Sequence, residues 1–457
     1  MRGLWLVQTA AERVAAARVG LDTPIGARLV GLLGIAVMIG LAVLLSYDRR
    51  RIDWRLVASG LGLQALFGVI VLKTDLGQLF FDRVGAVVTG LLRFQEQGAR
   101  FVFGNLVQSE VPVGIPGPNA ALDATAGYVA HTGAYFAFNV LPTIIFFSAL
   151  MSVLYYLKVM QLIVKGIAWV MQKTLRTSGA ETLSASGNIF LGQTESPLLI
   201  KPFVRGMTRS ELVTVMVGGF ATVAGGVLAA YVGMLKGAFP DIAGHLLAAS
   251  VMNAPAGLFL SKIIMPETAE PVTKGSLRMD VERTDSGVIE AAAGGAALGV
   301  QLAINVAAML MAFVALVALV NFGLGWLGGL AGHPELSMQF ILGQVLRPIA
   351  WVMGVPWQDT AYVGGLIGLK TTLNEFVAYA QFAADLGSGV ALQPRSSIIL
   401  TYALLGFANF SSIAIQIGGI GGLAPERRGE IARFGLRAMI AGNLAAFISA
   451  SIAGMLA

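Results

Sequence analysis

Two acidic residues stand in stretches where acids are costly. Glu195 lies in LSASGNIFLGQTESPLLIKPF (183–203) and Glu375 in PWQDTAYVGGLIGLKTTLNEFVAYAQF (356–382). Both stretches are otherwise dominated by apolar and small residues, and an ionised group at bilayer depth costs about 2.5–3.5 kcal/mol on insertion scales. A carboxylate accepts hydrogen bonds strongly, so it can grip hydroxyls or ring N–H groups. The competing reading is structural, with Glu195 paired to Lys201 and Glu375 to Lys370. Gln193 and Thr194 put an amide and a hydroxyl beside Glu195, although a threonine there also suits a cap. Asn188 offers a side-chain oxygen that either binds sodium or caps a short helix. Thr222-Val223-Ala224-Gly225-Gly226 has the glycine pair and small residues of an unwound point, whose free carbonyls suit sodium. Asn409, Ser411 and Ser412 lie inside another apolar run, where helix-to-helix hydrogen bonding is the alternative role. Phe407 and Phe410 are packing residues or stacking platforms for a flat ring. Asn253 and Pro255 read as helix packing and a kink.

Composition says what must hold these groups. Of 457 residues, 56% are hydrophobic and only 12% charged, against about 25% charged in soluble domains. The surrounding solvent is therefore itself apolar. There is no cysteine, which removes disulfides, thiolate metal sites and a cysteine nucleophile. Three scattered histidines (His131, His245, His333) do not make a metal cluster. No Walker, HExxH or GxSxG string is present, so neither an ATP-driven pump nor a common hydrolase is indicated. A net charge of +6 fits cytoplasmic loops of a membrane protein better than a nucleic-acid site.

Uncharged runs near 29–47, 56–72, 132–157, 212–235, 242–261, 296–322, 396–420 and 438–457 predict eight helical spans. The broken regions 178–203 and 336–384 predict two re-entrant hairpins with the polar clusters at their tips. Placing Arg49–Arg51, Lys158, Lys165, Lys201, Arg205 and Arg427–Arg428 on the cytoplasmic side satisfies the positive-inside bias only if both hairpins turn back. Hairpin, broken span and span then occur twice, with Gly219-Phe220-Ala221-Thr222 echoed by Gly406-Phe407-Ala408-Asn409. The two copies enter from opposite sides, an inverted repeat of the kind found in secondary transporters. Residues 1–28 form an N-terminal segment, retained rather than cleaved, and 29–177 a scaffold of three spans. Residues 178–265 form the first transport repeat, 266–335 a loop and sixth span, and 336–457 the second repeat. Residues 73–131 read as interfacial or peripheral helices and a loop, broken by Pro112, Pro116 and Pro118.

The strings GNIFLGQTESPLLIKPF (187–203), GGFATVAGGVLAAYVGM (218–234), VMNAPAGLFLSKIIMPET (251–268), LKTTLNEFVAY (369–379) and GFANFSSIAIQIGGIGGLAPERR (406–428) resemble the concentrative nucleoside transporter family. The resemblance implies an all-α fold of eight transmembrane helices and two opposed re-entrant hairpins, assembled as a homotrimer in the bacterial inner membrane. It implies that Gln193, Thr194 and Glu195 face a nucleobase with Val227 beside it. Glu375, Asn409 and Ser412 would hold the ribose, and Phe407 would line the pocket. Sodium would be held by Asn188, Leu191, Thr222 and Val223. The implied function is sodium-coupled nucleoside import by alternating access of an elevator type, with proton coupling as the alternative because members lacking the asparagine may use protons. An intramembrane carboxylate enzyme, which would form product in detergent, and a channel, which would not accumulate solute, are rival classes.

Overall fold

The computed structural model describes residues 24–108, 110–116, 122–131, 136–275, 286–330 and 332–457. Of the expected N-terminal segment 1–28, residues 1–23 lie outside them, as does Pro118. The chain folds as helices α1 (Ile25–Leu44), α2 (Trp54–Lys73) and α3 (Asp75–Phe103), then strands β1 (Glu110–Pro116) and β2 (Leu122–His131). Helices α4 (Leu141–Tyr156) and α5 (Val159–Leu175) follow. Next come α6 (Gly179–Gly187), a 3-10 arm (Ser196–Gly206), α7 (Arg209–Ala221), α8 (Gly225–Leu235) and α9 (Ile242–Ile264). Then come α10 (Val288–Leu330), α11 (Met338–Val352), α12 (Thr360–Thr372), α13 (Glu375–Gly387), α14 (Pro394–Leu404), α15 (Phe410–Leu423) and α16 (Arg428–Leu456).

Six helical segments among the described residues are long and apolar enough to cross a membrane. They are Trp54–Lys73, Phe136–Tyr156, Arg209–Leu235, Ile242–Ile264, Val288–Leu330 and Pro425–Leu456. The first expected span is a shorter apolar helix, Arg28–Leu44, and the seventh is divided between α14 and α15. Two further expectations are corrected. Residues 110–116 and 122–131 are the strands of an antiparallel ribbon rather than a loop, so among the described residues the fold is helical but for this pair. Its prolines interrupt a sequence pattern that otherwise alternates, and an isolated ribbon tolerates proline at its edges. The second broken region is not one hairpin from 336 onward. Residues 338–352 form the separate helix α11, packed on α12, and the turn-back lies at Leu373–Asn374 between α12 and α13.

Local chemistry explains where these pieces begin. Ser178 and Glu181 form a capping box at α6, as Thr208 and Glu211 do at α7. Asn374 caps α13 through Val377 N–H, and Asn409 caps α15 through Ser412 N–H. One apolar core joins α7, α8, α9, α14 and α16, while α10 is mostly exposed. The first hairpin is fastened at its base by a buried ion pair, Lys262 Nζ to Glu181 Oε2 at 2.7 Å. Lys262 also donates to Ser210 Oγ at 2.9 Å. The second is fastened by Asp359, whose Oδ2 accepts from Gln393 N–H at 3.1 Å and from the Ser396 hydroxyl.

Candidate functional site

Helices α7/α8 and α14/α15 are each interrupted in mid-course, at 222–224 and 405–409, and the two interruptions touch. Phe407 N–H donates to the Thr222 carbonyl at 3.2 Å. Gly406 permits this approach. Its φ is +113°, and a Cβ there would lie 2.7 Å from the Phe220 carbonyl oxygen. The carbonyls freed by the breaks are claimed in parallel fashion. Asn253 of α9 donates to Ala221 O at 2.7 Å, and Asn443 of α16 donates to Ala408 O at 2.9 Å. Asn253 thus serves the break, beyond the packing role its sequence context indicates.

A continuous polar network runs from the second hairpin tip to the first. Glu375, the first residue of α13, is buried. Its Oε1 accepts from Tyr231 OH at 3.2 Å and its Oε2 from Asn409 Nδ2 at 2.8 Å. Asn409 Oδ1 in turn accepts from Ser412 N–H and from the Ser411 hydroxyl at 2.7 Å. Ser412 Oγ accepts from Gln193 Nε2 at 3.1 Å, and Gln193 Oε1 accepts from Gln416 Nε2 at 3.1 Å. Gln416 also donates to the Met216 carbonyl at 3.0 Å. Four of the expected substrate residues, Gln193, Glu375, Asn409 and Ser412, are therefore brought together. Tyr231 and Gln416 complete the network without having been singled out. Both are polar groups in apolar runs, which was the available signal.

The other expected residues sit differently. Thr194 packs its methyl side toward Gly419 of α15. Glu195 is exposed, bends back to accept from Gly192 N–H at 3.0 Å, and faces a cavity of ≈1590 Å³. The lining of that cavity includes Lys158, Lys165, Lys201 and Arg205, and also Gly226, next to Val227. Val227 itself is buried on α8, and Phe407 is half-buried between the breaks. Phe410 is 52% exposed, so it is not a core residue. Among the described residues no ion pair reaches Glu195 or Glu375. Lys370 instead donates to the carbonyls of Ala403 and Leu405, at 2.9 and 3.3 Å. The structural pairings Glu195–Lys201 and Glu375–Lys370 are not formed.

The first hairpin holds an unusual vacancy of partners. Asn188, at the end of α6, is fully buried, yet neither its Oδ1 nor its Nδ2 has a hydrogen-bond partner. Buried polar side chains almost always find one. The neighbouring carbonyls are divided. Ile189 O accepts from Ser250 and Phe190 O from Gly225 N–H, whereas no hydrogen bond among the described residues reaches Leu191 O or Val223 O. Thr222 spends its proton on Gly218 O at 2.9 Å, leaving its oxygen lone pairs available. Amide, carbonyl and hydroxyl oxygens are the hard donors that an alkali cation takes. No group of three or more His, Cys, Asp or Glu that could hold a metal ion occurs among the described residues.

Three family profiles match the chain. "Na+ dependent nucleoside transporter N-terminus" matches residues 33–106, "Nucleoside recognition" 137–238, and "Na+ dependent nucleoside transporter C-terminus" 245–454. The transporter YutK of Bacillus subtilis is 46% identical over 426 residues, covering 93% of this chain and 98% of that one. Sodium/nucleoside cotransporter 1 of Rattus norvegicus is 42% identical over 442 residues, 94% of this chain and 64% of that longer protein. A solved structure described as CNTnw in an inward-facing substrate-bound state superposes with a TM-score of 0.82. It shares 43% identity and covers 94% of this chain and 98% of its own. A variant of CNTnw in an outward-facing state gives a TM-score of 0.84 at 43% identity, covering 95% of this chain and 98% of its own.

Proposed function

The chain belongs to the Na+ dependent nucleoside transporter family, and we propose that it imports nucleosides in symport with sodium. It is a transporter and not an enzyme by family, and the finer reading rests on one observation. The Glu375–Asn409–Ser412–Gln193 network joins both hairpin tips at the crossing of two broken helices, while Asn188 beside it is left without partners. Donors and acceptors arranged around a carboxylate suit the ribose hydroxyls, which Glu375, Asn409 and Ser412 would hold with Phe407 lining the pocket. Gln193, Thr194 and Glu195, with Val227, would meet the base from the cavity side. Sodium would be taken by Asn188, Thr222 and the carbonyls of Leu191 and Val223, ordering the first tip and so raising nucleoside affinity.

The matching order of elements, read with the charge distribution, supports eight spans, two opposed hairpins and an inverted repeat working by an elevator motion. The cavity lining carries four basic residues, and basic residues favour the cytoplasmic side; on that placement this conformation faces inward. A homotrimer in the inner membrane, divided as the segments above, completes the reading. Proton coupling is the second reading, and the presence of Asn188 favours sodium over it. Radiolabelled uridine uptake into proteoliposomes tests both. Accumulation driven by an inward sodium gradient supports the proposal. Accumulation driven only by protons selects the alternative, and no effect of either gradient rejects symport.

A further inference from the structure

The stretch after α6 and the stretch after α7 dispose of their carbonyls in the same order. In the first, Ile189 O accepts from the Ser250 hydroxyl at 3.0 Å and Phe190 O from Gly225 N–H at 2.8 Å, and no hydrogen bond among the described residues reaches Leu191 O. In the second, Ala221 O accepts from Asn253 Nδ2 at 2.7 Å and Thr222 O from Phe407 N–H at 3.2 Å, and none reaches Val223 O. Each stretch therefore has two pinned peptide groups followed by one free carbonyl. Backbone N–H groups make the second pin of each pair. The first pin of each pair comes from one helix, α9.

Ser250 and Asn253 are three residues apart, so they share one face of α9, and both are fully buried. The Asn253 amide is itself held. Its Oδ1 accepts from the Ser449 hydroxyl, and Ser449 Oγ accepts from Gln64 Nε2 at 2.8 Å. The second copy keeps only half of this arrangement. Asn443 of α16 serves Ala408 O at 2.9 Å as Asn253 serves Ala221 O. Three residues before Asn443 stands Ile440, whose side chain has nothing to donate. A buried hydroxyl on α9 where α16 has an aliphatic side chain calls for a reason particular to the first copy. That copy is the one holding Asn188 without partners. Carbonyl dipoles select and hold an alkali cation by their number and direction. An unpinned peptide plane turns about its flanking φ and ψ, and the next carbonyl turns with it.

We propose that Ser250 and Asn253 are positioning residues for the sodium site. By holding Ile189 O and Ala221 O they fix the directions of Leu191 O and Val223 O. Helix α9 is then the template that sets both stretches around Asn188. Neither side chain is itself a ligand of the ion. This rests on the sodium-coupled reading above.

Thermal unfolding of the detergent-solubilised protein without nucleoside tests this. Sodium chloride is titrated in, with choline chloride holding the ionic strength constant. The rise in midpoint reads the sodium Kd, because a ligand bound only by the folded state stabilises it by mass action. Ser250→Ala removes one hydroxyl and little volume, and is expected to raise that Kd about fivefold or more; Asn253→Ala is expected to raise it about tenfold or more. The uridine Kd at saturating sodium is expected to stay at the wild-type value in both. Asn443→Ala loses the matching hydrogen bond in the second copy. It is expected to lower the sodium-free midpoint and leave the sodium Kd unchanged. An unchanged sodium Kd in Ser250→Ala would overturn the proposal. So would an equal rise in Asn443→Ala, which would make the effect one of general packing. If Asn253→Ala does not accumulate in membranes, Ser250→Ala alone decides. A wild-type midpoint indifferent to sodium would instead sink the underlying sodium reading, and this inference with it.

Discussion

The two hairpin tips use the same scaffold and end in opposite states of completion. At the second, Glu375 is buried and served by Tyr231 and Asn409, and the adjoining helix end is served by Lys370. At the first, Gln193 is satisfied through Ser412 and Gln416, but Asn188 and the carbonyls of Leu191 and Val223 are not. The second tip carries its own partners and is a fixed surface for a polar solute. The first lacks some of its partners, so its order depends on what binds. A carrier that must release its cargo needs one such conditional element, because a fully satisfied site has no reason to open.

The bases of the hairpins sharpen the comparison and give the largest expected effect. Lys262→Met leaves Glu181 buried without its cation, which is expected to remove about 3–5 kcal/mol of stability. Asp359→Asn retains a hydrogen-bonding group against Ser396 and is expected to cost less, on the order of 1 kcal/mol. Thermal unfolding of the two detergent-solubilised variants measures the difference, and equal losses would mean that the bases are equivalent. Next, Glu375→Gln weakens two hydrogen bonds to a charged acceptor. About 3 kcal/mol, or roughly a hundredfold in uptake, is the expected loss, with little change in the sodium concentration that half-saturates what remains. Asn188→Ala is expected to do the reverse. It should raise half-saturating sodium about tenfold while leaving uptake at saturating sodium near the wild type. If both substitutions shift the sodium curve alike, the division of labour between the tips is wrong. The smallest effect is expected from Gln416→Leu, which removes one of the two hydrogen bonds between Gln193 and α15 and leaves the one to Ser412. A loss of about 1 kcal/mol, read as a several-fold rise in KM for uridine at constant maximal rate, is the outcome that fits.

Much of this was legible because charge and amide groups are conspicuous in apolar runs. Glu375, Asn409, Ser412 and Gln193 announce themselves that way, and the two broken stretches follow from the polar residues within them. The echo of Gly219–Thr222 in Gly406–Asn409 marks the two interruptions, and the structure brings them into contact through Phe407 and Thr222. What stayed hidden depends on separations that no local pattern encodes. Tyr231 meets Glu375 across 144 residues, and Gln416 meets Gln193 across 223. Lys370 looked like a salt-bridge partner for Glu375 because they are close in sequence, but the helix turns its ammonium to the end of α14. Glu195 looked equivalent to Glu375, yet it bends back to its own turn and faces the cavity. The strands 110–116 and 122–131 escape a local reading because Pro112 and Pro116 mask a strand pattern that only pairing reveals.

The dependence of nucleoside binding on sodium tests the central claim most directly. Calorimetric titration of the purified wild-type protein with uridine is to be run in sodium chloride and in choline chloride at equal ionic strength. The Kd for uridine should be lower in sodium, and sodium should bind more tightly in the presence of uridine by the same factor. Equal uridine affinities in the two salts would contradict the account, because the incomplete tip would then be indifferent to the ion said to complete it.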